Sequence, residues 1–334
     1  PRFSSWKRNW FSLEYEEPGK GWSVKDGRLR LTFGKNENDE RLGATVRLKQ
    51  PPKNLGDRAK AVREVKDSGR YFAVFTLSDR PRKKRLPEDP SLAYVDPNSK
   101  NLGYGVGTDG HAFEIDNVSR LRELDVRIDK LKRKRDRCEK HSRAVEYARG
   151  DGSVHRHWRA SRTWERRDAA LKRLENVRRD RIKQHLFSTA HRLFDLYDVV
   201  GVGDWSPSNG DQGRGRKANR TMRSRRHLGE FRRVLLWVAE KRGRFAHVLD
   251  ERGTTRTCHG CGHVKADGLH PSVRAWDCPS CGERHLRDEN AAKNGLAKLI
   301  ATQGFRQAPG SGRSTVTSRS RWSCLPGGRW AEGD

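Results

Sequence analysis

The sequence predicts an α/β protein: a mixed sheet with helices on its faces, a small all-β unit before it, and a metal-knotted ribbon near its end. Three observations predict it. After residue 91, short apolar runs alternate with amphipathic helical stretches; the first 80 residues carry strand-like alternation broken by turn dipeptides; and four cysteines stand as Cys258-x₂-Cys261-x₁₆-Cys278-x₂-Cys281.

Charge sets the partner class. The chain of 334 residues has 72 Lys+Arg against 43 Asp+Glu, a net charge of +29, which makes a polyanion, and first of all nucleic acid, the natural ligand. With 33% hydrophobic and 34% charged residues, the cores are modest and several thin units are expected. No apolar run approaches the about 20 residues needed to span a bilayer, and no signal peptide is visible. The chain starts at Pro1 and its single methionine is Met222, so a processed or truncated piece is expected.

In residues 1–80, Trp22 to Lys25 and Arg28 to Phe33 flank Asp26-Gly27, a dipeptide suited to the positive φ angles of a tight hairpin. Leu29, Leu31 and Phe33 alternate with Arg28, Arg30 and Thr32, giving one core face and one cationic face. Thr45 to Leu48 and Tyr71 to Leu77 add strands to a small barrel or open sheet. Prolines and charge between Ser78 and Pro87 mark a linker, taken as residues 81–91. Leu92 to Asp96, Leu102 to Val106 and Ala112 to Ile115 then read as a three-strand meander.

Two helices follow, with Leu121, Leu124, Ile128 and Leu131 on one stripe and Ile182, Leu186, Ala190, Leu193 and Tyr197 on the other. Arg149 to Ser153 is the expected turn of this basic helical hairpin, which we read as a nucleic-acid contact because Arg and Lys far outnumber acids there. Asp198 to Asp204 is a buried strand. A Gly- and Arg-rich loop (Ser206 to His227), a helix around Phe231 to Glu240 and a strand from Phe245 to Leu249 complete the pattern. The Gly-, Ser- and Arg-rich residues 303–334 are expected to be a disordered basic tail.

Paired C-x₂-C knuckles each present two thiolates, and a closed four-thiolate set at about 2.3 Å is a structural Zn²⁺ site. Two disulfides are the alternative. Only Cys138 and Cys324 remain, far away, so there is no even framework and a reducing compartment fits better.

Three carboxylates stand at element ends: Asp96 closes the first sheet strand, Glu251 closes the last, and Asp288 opens the helix after the ribbon. Each alone is an ordinary turn former or cap. As a set they would suit two Mg²⁺ ions about 3.5–4 Å apart for in-line phosphodiester hydrolysis.

The run Val95-Asp96-Pro97-Asn98-Ser99-Lys100-Asn101-Leu102 resembles the first catalytic segment of the TnpB (OrfB) proteins of insertion elements and of the miniature type V CRISPR effectors. Thr254 to Asn294, with Arg287-Asp288-Glu289-Asn290-Ala291-Ala292-Lys293-Asn294 as its most specific part, resembles their zinc ribbon and third catalytic segment. The resemblance covers about Tyr71 to Leu299. It implies an RNase H-like (RuvC-like) mixed sheet with a helical hairpin insertion and zinc ribbon, a wedge-like barrel before it, and DNA cleavage directed by a guide RNA. Asp96 and Asp288 match the family's first and third metal-binding acids. The family commonly places Glu-Asp at the end of the fourth sheet strand, whereas this chain has Gly203-Asp204. Glu251, where the family more often has Pro, is taken as the replacement, with Asp204 as runner-up.

The expected layout is therefore a wedge-like barrel (1–80), linker (81–91), first nuclease part (92–254), zinc ribbon (255–286), final nuclease helix (287–302) and tail (303–334). The expected activity is a Mg²⁺-dependent, RNA-guided DNA endonuclease. Its partners would be guide RNA and target DNA, its place the prokaryotic cytoplasm and, when DNA-bound, the nucleoid. The rivals are a cleavage-silent RNA-guided binder and a zinc-ribbon RNA-binding protein.

Overall fold

The alternation of the first 80 residues resolves, in the computed structural model, into two three-stranded antiparallel sheets. The structure describes residues 10–53, 55, 58–67, 69–78, 83–98, 101–117, 121–148, 150, 152–204, 227–270, 272–304, 316–324 and 330–333. Strands β1 (Trp10–Tyr15), β2 (Trp22–Lys25), β3 (Arg28–Lys35), β4 (Arg41–Arg47), β5 (Ala59–Asp67) and β6 (Arg70–Leu77) pair in the orders β1-β5-β6 and β2-β3-β4. Asp26 (φ 50°) and Gly27 (φ 69°) make the tight turn between β2 and β3. Trp22, Leu29, Leu31 and Val62 are buried together as the core of this region. Phe33 does not join them: the β3–β4 register shifts between Thr32 and Gly34, and this irregularity leaves Phe33 54% exposed.

By compactness the chain divides into two units, residues Pro1–Arg80 with Asp125–Val177, and Pro81–Leu124 with Arg178–Asp334. The basic helices are α1 (Leu121–Asp136) and α2 (Arg162–Leu196). Between them the sequence reading placed a simple turn. The connection is instead an antiparallel β-hairpin, β10 (Arg143–Ala148) with β11 (Val154–Arg159), and Gly150 and Gly152 lie at its tip. Short alternating runs such as Arg143 to Tyr147 are helix-ambiguous by pattern, and the tip glycines decide for a hairpin.

The second unit is built on a seven-stranded mixed sheet. Its strands are β7 (Leu92–Pro97), β8 (Gly103–Gly107), β9 (His111–Ile115), β12 (Val199–Gly203), β13 (Phe245–Leu249), β16 (Ser318–Cys324) and β17 (Trp330–Gly333), in the order β13-β12-β7-β8-β9-β16-β17. β12 runs parallel to β7 and β13, whereas β7, β8 and β9 form the antiparallel meander. Both faces are covered, so the central strands read as unbroken apolar runs. Ala93 and Val95 face the C-terminal half of α2 and helix α3 (Leu228–Arg242), while Leu92 and Tyr94 face helix α4 (Arg287–Gln303). α4 comes so close that a Cβ on Gly295 would stand 2.0 Å from the Tyr94 ring, so glycine is needed there.

The tail departs from expectation. β16 pairs in parallel with β9, and Trp322 is fully buried, stacked on Phe113 with ring centroids 4.0 Å apart. One large aromatic ring, filling the main core, supplies the ordering free energy that the polar composition hides. The loop read at Ser206 to His227 lies, up to residue 226, outside the described residues, as do residues 81 and 82 of the linker and 305–315, 325–329 and 334 of the tail. No helix among the described residues is long and apolar enough to cross a membrane.

Candidate carboxylate site and cysteine centre

The parallel pairing of β7, β12 and β13 brings their C-terminal ends to one edge of the sheet, where open α/β sheets collect ligands. Register aligns Val202 with Val95 and Gly203 with Leu249, so Asp96, Gly203 and the turn after Leu249 are neighbours. That turn carries Glu251. Its side chain folds back over β12: a Cβ built on Gly203 would lie 1.5 Å from Glu251 Oε1 and 2.4 Å from its Cγ. The carboxylate thus fills the space that a side chain at position 203 would enter.

Asp288 arrives from the first turn of α4, where it and Glu289 complement the positive end of the helix dipole. Its Oδ2 accepts from Asn98 Nδ2 (2.6 Å) and from Arg274 Nη1 (3.3 Å). Asp96 is buried, and burial, then the Glu251 carboxylate, then that of Asp288 raise its pKa well above the carboxylate range, with Arg287 opposing. The neighbouring Tyr94 phenol is likewise pushed up by burial and by Glu251, Asp96, Asp204 and Asp250. Asp96 thus lies within electrostatic reach of the carboxylates of Glu251 and Asp288, whereas among the described residues only the four cysteines, and Cys258 with Glu283 and His285, have ligand atoms all within 4.8 Å of one another. Asp204 is close by, but its Oδ1 accepts the backbone N–H of Glu251 at 3.3 Å.

Around these acids stand residues to which sequence reading gave no role. Glu289 is buried and takes Arg319 Nε (3.0 Å) and Nη2 (3.2 Å), Lys293 Nζ (3.1 Å) and the Tyr104 hydroxyl (3.2 Å); against burial, Arg319 and Lys293 hold its pKa down. Lys298, on α4, donates to the Asp250 carbonyl at 3.1 Å and the Arg252 carbonyl at 2.9 Å. Buried carboxylate partners from the polar tail had no visible signal. A motif did exist for Asn290 and Asn294, whose spacing of four puts both amides on one helix face. Each donates to the Thr257 carbonyl at 2.8 Å, and Asn290 Oδ1 accepts from the His259 N–H at 2.9 Å, which docks the first cysteine knuckle on α4.

The knuckles sit beside the short hairpin β14 (Ala275–Asp277) and β15 (Arg284–Leu286). Cys258, Cys261, Cys278 and Cys281 have all four sulfurs within 4.8 Å of one another. Cys258 and Cys281 Sγ are 3.7 Å apart, and Cys261 and Cys278 Sγ are 3.6 Å apart. Thiolates at about 2.3 Å from a tetrahedral Zn²⁺ would be about 3.8 Å apart, so the set fits that ion. Burial pushes the Cys258 thiol up. That of Cys278 is brought down, against burial, by the N–H groups of Cys281 and Ser280. His285 Nε2 lies 3.0 Å from Cys258 Sγ, a contact the sequence reading did not foresee.

Residues 229–295 match a family model described as "Cas12f1-like, TNB domain". The "TnpB-like protein L79" of Acanthamoeba polyphaga mimivirus is 30% identical over 122 residues, which are 34% of this chain and 22% of that protein. The "Putative RNA-guided DNA endonuclease Rv2885c" of Mycobacterium tuberculosis (strain ATCC 25618 / H37Rv) is 27% identical over 229 residues, 66% of this chain and 45% of that protein. The chain thus spans less than half the length of either relative. Its fold resembles the protein of a cryo-EM structure of a Cas12f1–sgRNA–target DNA complex, with a TM-score of 0.54 at 10% identity over 88% of this chain and 66% of that one.

Proposed function

We propose that this chain, whose relatives support its place in the TnpB family, is a metal-dependent RNA-guided DNA endonuclease whose mixed sheet is a RuvC-like, RNase H-like nuclease core. The observation that carries the reading is the Glu251 carboxylate lying over Gly203, beside Asp96. It supplies a third acid at a site where the family's own glutamate is missing.

In this reading Asp96, Glu251 and Asp288 hold two Mg²⁺ ions, which when bound supply an activated water and charge stabilisation at the scissile phosphate. Asn98 orients Asp288 through its 2.6 Å hydrogen bond. Burial of Asp96 keeps bulk water away from one wall of the site and favours a charge-neutralised carboxyl group. Cys258, Cys261, Cys278 and Cys281 hold a structural Zn²⁺, and the amides of Asn290 and Asn294 tie that ribbon to the helix bearing Asp288. Guide RNA and target DNA are the proposed partners, held by the basic N-terminal sheets and helices, with sequence read by base pairing.

The test is a set of alanine variants assayed for guided DNA cleavage in Mg²⁺. Asp96→Ala, Glu251→Ala and Asp288→Ala should each lower the rate by about a thousandfold or more while guide RNA affinity is unchanged. Asp204→Ala should cost less. An active Glu251→Ala with a dead Asp204→Ala would move the second acid to Asp204, four active variants would remove cleavage from this carboxylate site, and a parent that binds guide and target without cutting would leave only a guided binder.

A further inference from the structure

Glu251 does not sit on a strand. A glutamate at position 203 would be fixed by hydrogen-bond ladders on both sides, to β7 and to β13, whereas Glu251 hangs from the turn that follows β13. A turn-borne acid holds a metal only if its backbone is fixed by other means.

The groups around it do this. The N–H of Glu251 donates to Asp204 Oδ1 at 3.3 Å. Its carbonyl accepts from Thr254 Oγ1 at 2.9 Å and Thr254 N at 3.1 Å. The carbonyls on either side, of Asp250 and Arg252, both accept from the single ammonium of Lys298, at 3.1 and 2.9 Å. Lys298 lies on α4, the helix that carries Asp288 in its first turn. Its neighbour Leu299 packs beneath Gly201 of β12, so the helix at this point is anchored to the sheet. One rigid element thereby fixes Asp288 directly and Glu251 through Lys298.

We propose that Lys298 is the positioning residue of the carboxylate site: by bridging the carbonyls that flank Glu251, it aims a turn-borne glutamate into the space left by Gly203. The proposal rests on the reading of Glu251 as a metal-binding acid. Charge-assisted donation to two carbonyls at once fixes the peptide planes on both sides of one residue, which a neutral side chain of similar length cannot do. The need for this brace exists only while the acid hangs from the turn. Moving the carboxylate to the strand should remove it.

The experiment measures Mn²⁺ binding by electron paramagnetic resonance in the chain with its copurified RNA. The variants are Lys298→Met and Lys298→Arg, each in the parent and in a relocated background, Gly203→Glu with Glu251→Ala. In the parent, Lys298→Met should weaken Mn²⁺ about tenfold or more, and Lys298→Arg, which still offers two donors, should keep most of the affinity. In the relocated background, Lys298→Met should cost less than about twofold, because the ladders now hold the acid. Unchanged Mn²⁺ affinity of Lys298→Met in the parent overturns the proposal. So does an equal loss in both backgrounds, which would mark Lys298 as a general fold contact. If the relocated chain binds no Mn²⁺, the parent pair decides: loss with Met and retention with Arg supports the role, and equal behaviour of the two rejects it. Glu251→Ala, measured alongside, separates the premise: parent-like Mn²⁺ binding there would sink the metal-binding reading of Glu251 itself, whatever Lys298 does.

Discussion

Gly203 is the residue on which the carboxylate site turns. A methyl group there would lie 1.5 Å from Glu251 Oε1 and 2.2 Å from its Cδ, far inside any allowed contact. The atoms struck belong to the mobile end of a side chain, so the collision is relieved by expelling the carboxylate and leaves the backbone in place. Alanine also orders a strand better than glycine, by roughly 0.5–1 kcal/mol. Gly203→Ala should therefore melt at the parent temperature or slightly above it, yet cleave about a hundredfold more slowly, as expected for a reacting group displaced by about 1 Å. Calorimetry and a cleavage assay on the same preparation check both halves, and parent-like cleavage would show that Glu251 has no work to do where it stands. At this scale the sequence was informative where chemistry coincides with punctuation. Asp96 precedes Pro97 at a strand end, and Asp288 follows the ribbon. Glu251 was singled out through the absence of an acid at 203. Lys298 was illegible, because its partners are main-chain carbonyls and one lysine on a helix looks like any other.

Among the elements, β16 shows how a strand can hide from its own composition. Its sequence, Ser-Arg-Ser-Arg-Trp-Ser-Cys, offers one large apolar side chain, Trp322, and that ring lies flat on Phe113 with an interplanar angle of 2°. Arg319 of the same strand reaches Glu289, next to Asp288, so the strand ties the sheet edge to the first turn of α4. Trp322→Ala should destabilise the folded chain by about 3–5 kcal/mol, the usual cost of deleting a buried aromatic ring. A denaturant midpoint equal to that of the parent would show that β16 is not part of the cooperative fold. The central strands β7 and β12 were readable because they are buried on both faces and appear as apolar runs, Leu92 to Val95 and Val199 to Val202. The hairpin of β10 and β11 was not, since its alternation is diluted by the same basic residues that dominate the flanking helices. Helix α4 was readable from the acid that opens it after the ribbon, and the four-residue spacing of its asparagines has a cause in the docking of the knuckle.

For the whole molecule, the excess of basic residues is the property no single contact explains. A net charge of +29 is far more than solubility requires, and it is set against a site proposed to act on a phosphodiester. The ion pairs among the described residues absorb part of this charge locally, for example Arg135 with Asp168 and Arg242 with Asp195, but the acids are too few to neutralise the rest. Phosphates are the remaining source of counter-charge. Binding of a structured RNA should then be driven by release of condensed cations, so its affinity should fall linearly on a log–log plot against salt. A loss of about a thousandfold or more is expected between about 50 and 200 mM salt if six or more phosphates are contacted. Because this binding uses the basic surfaces and not the carboxylates, EDTA should leave it intact while abolishing cleavage. Filter binding with copurified RNA, an unrelated RNA and duplex DNA across a salt series measures all three terms. Affinity for duplex DNA equal to that for the copurified RNA, with the same salt slope, would reduce the chain to a non-specific polyanion binder and remove the guide from the mechanism.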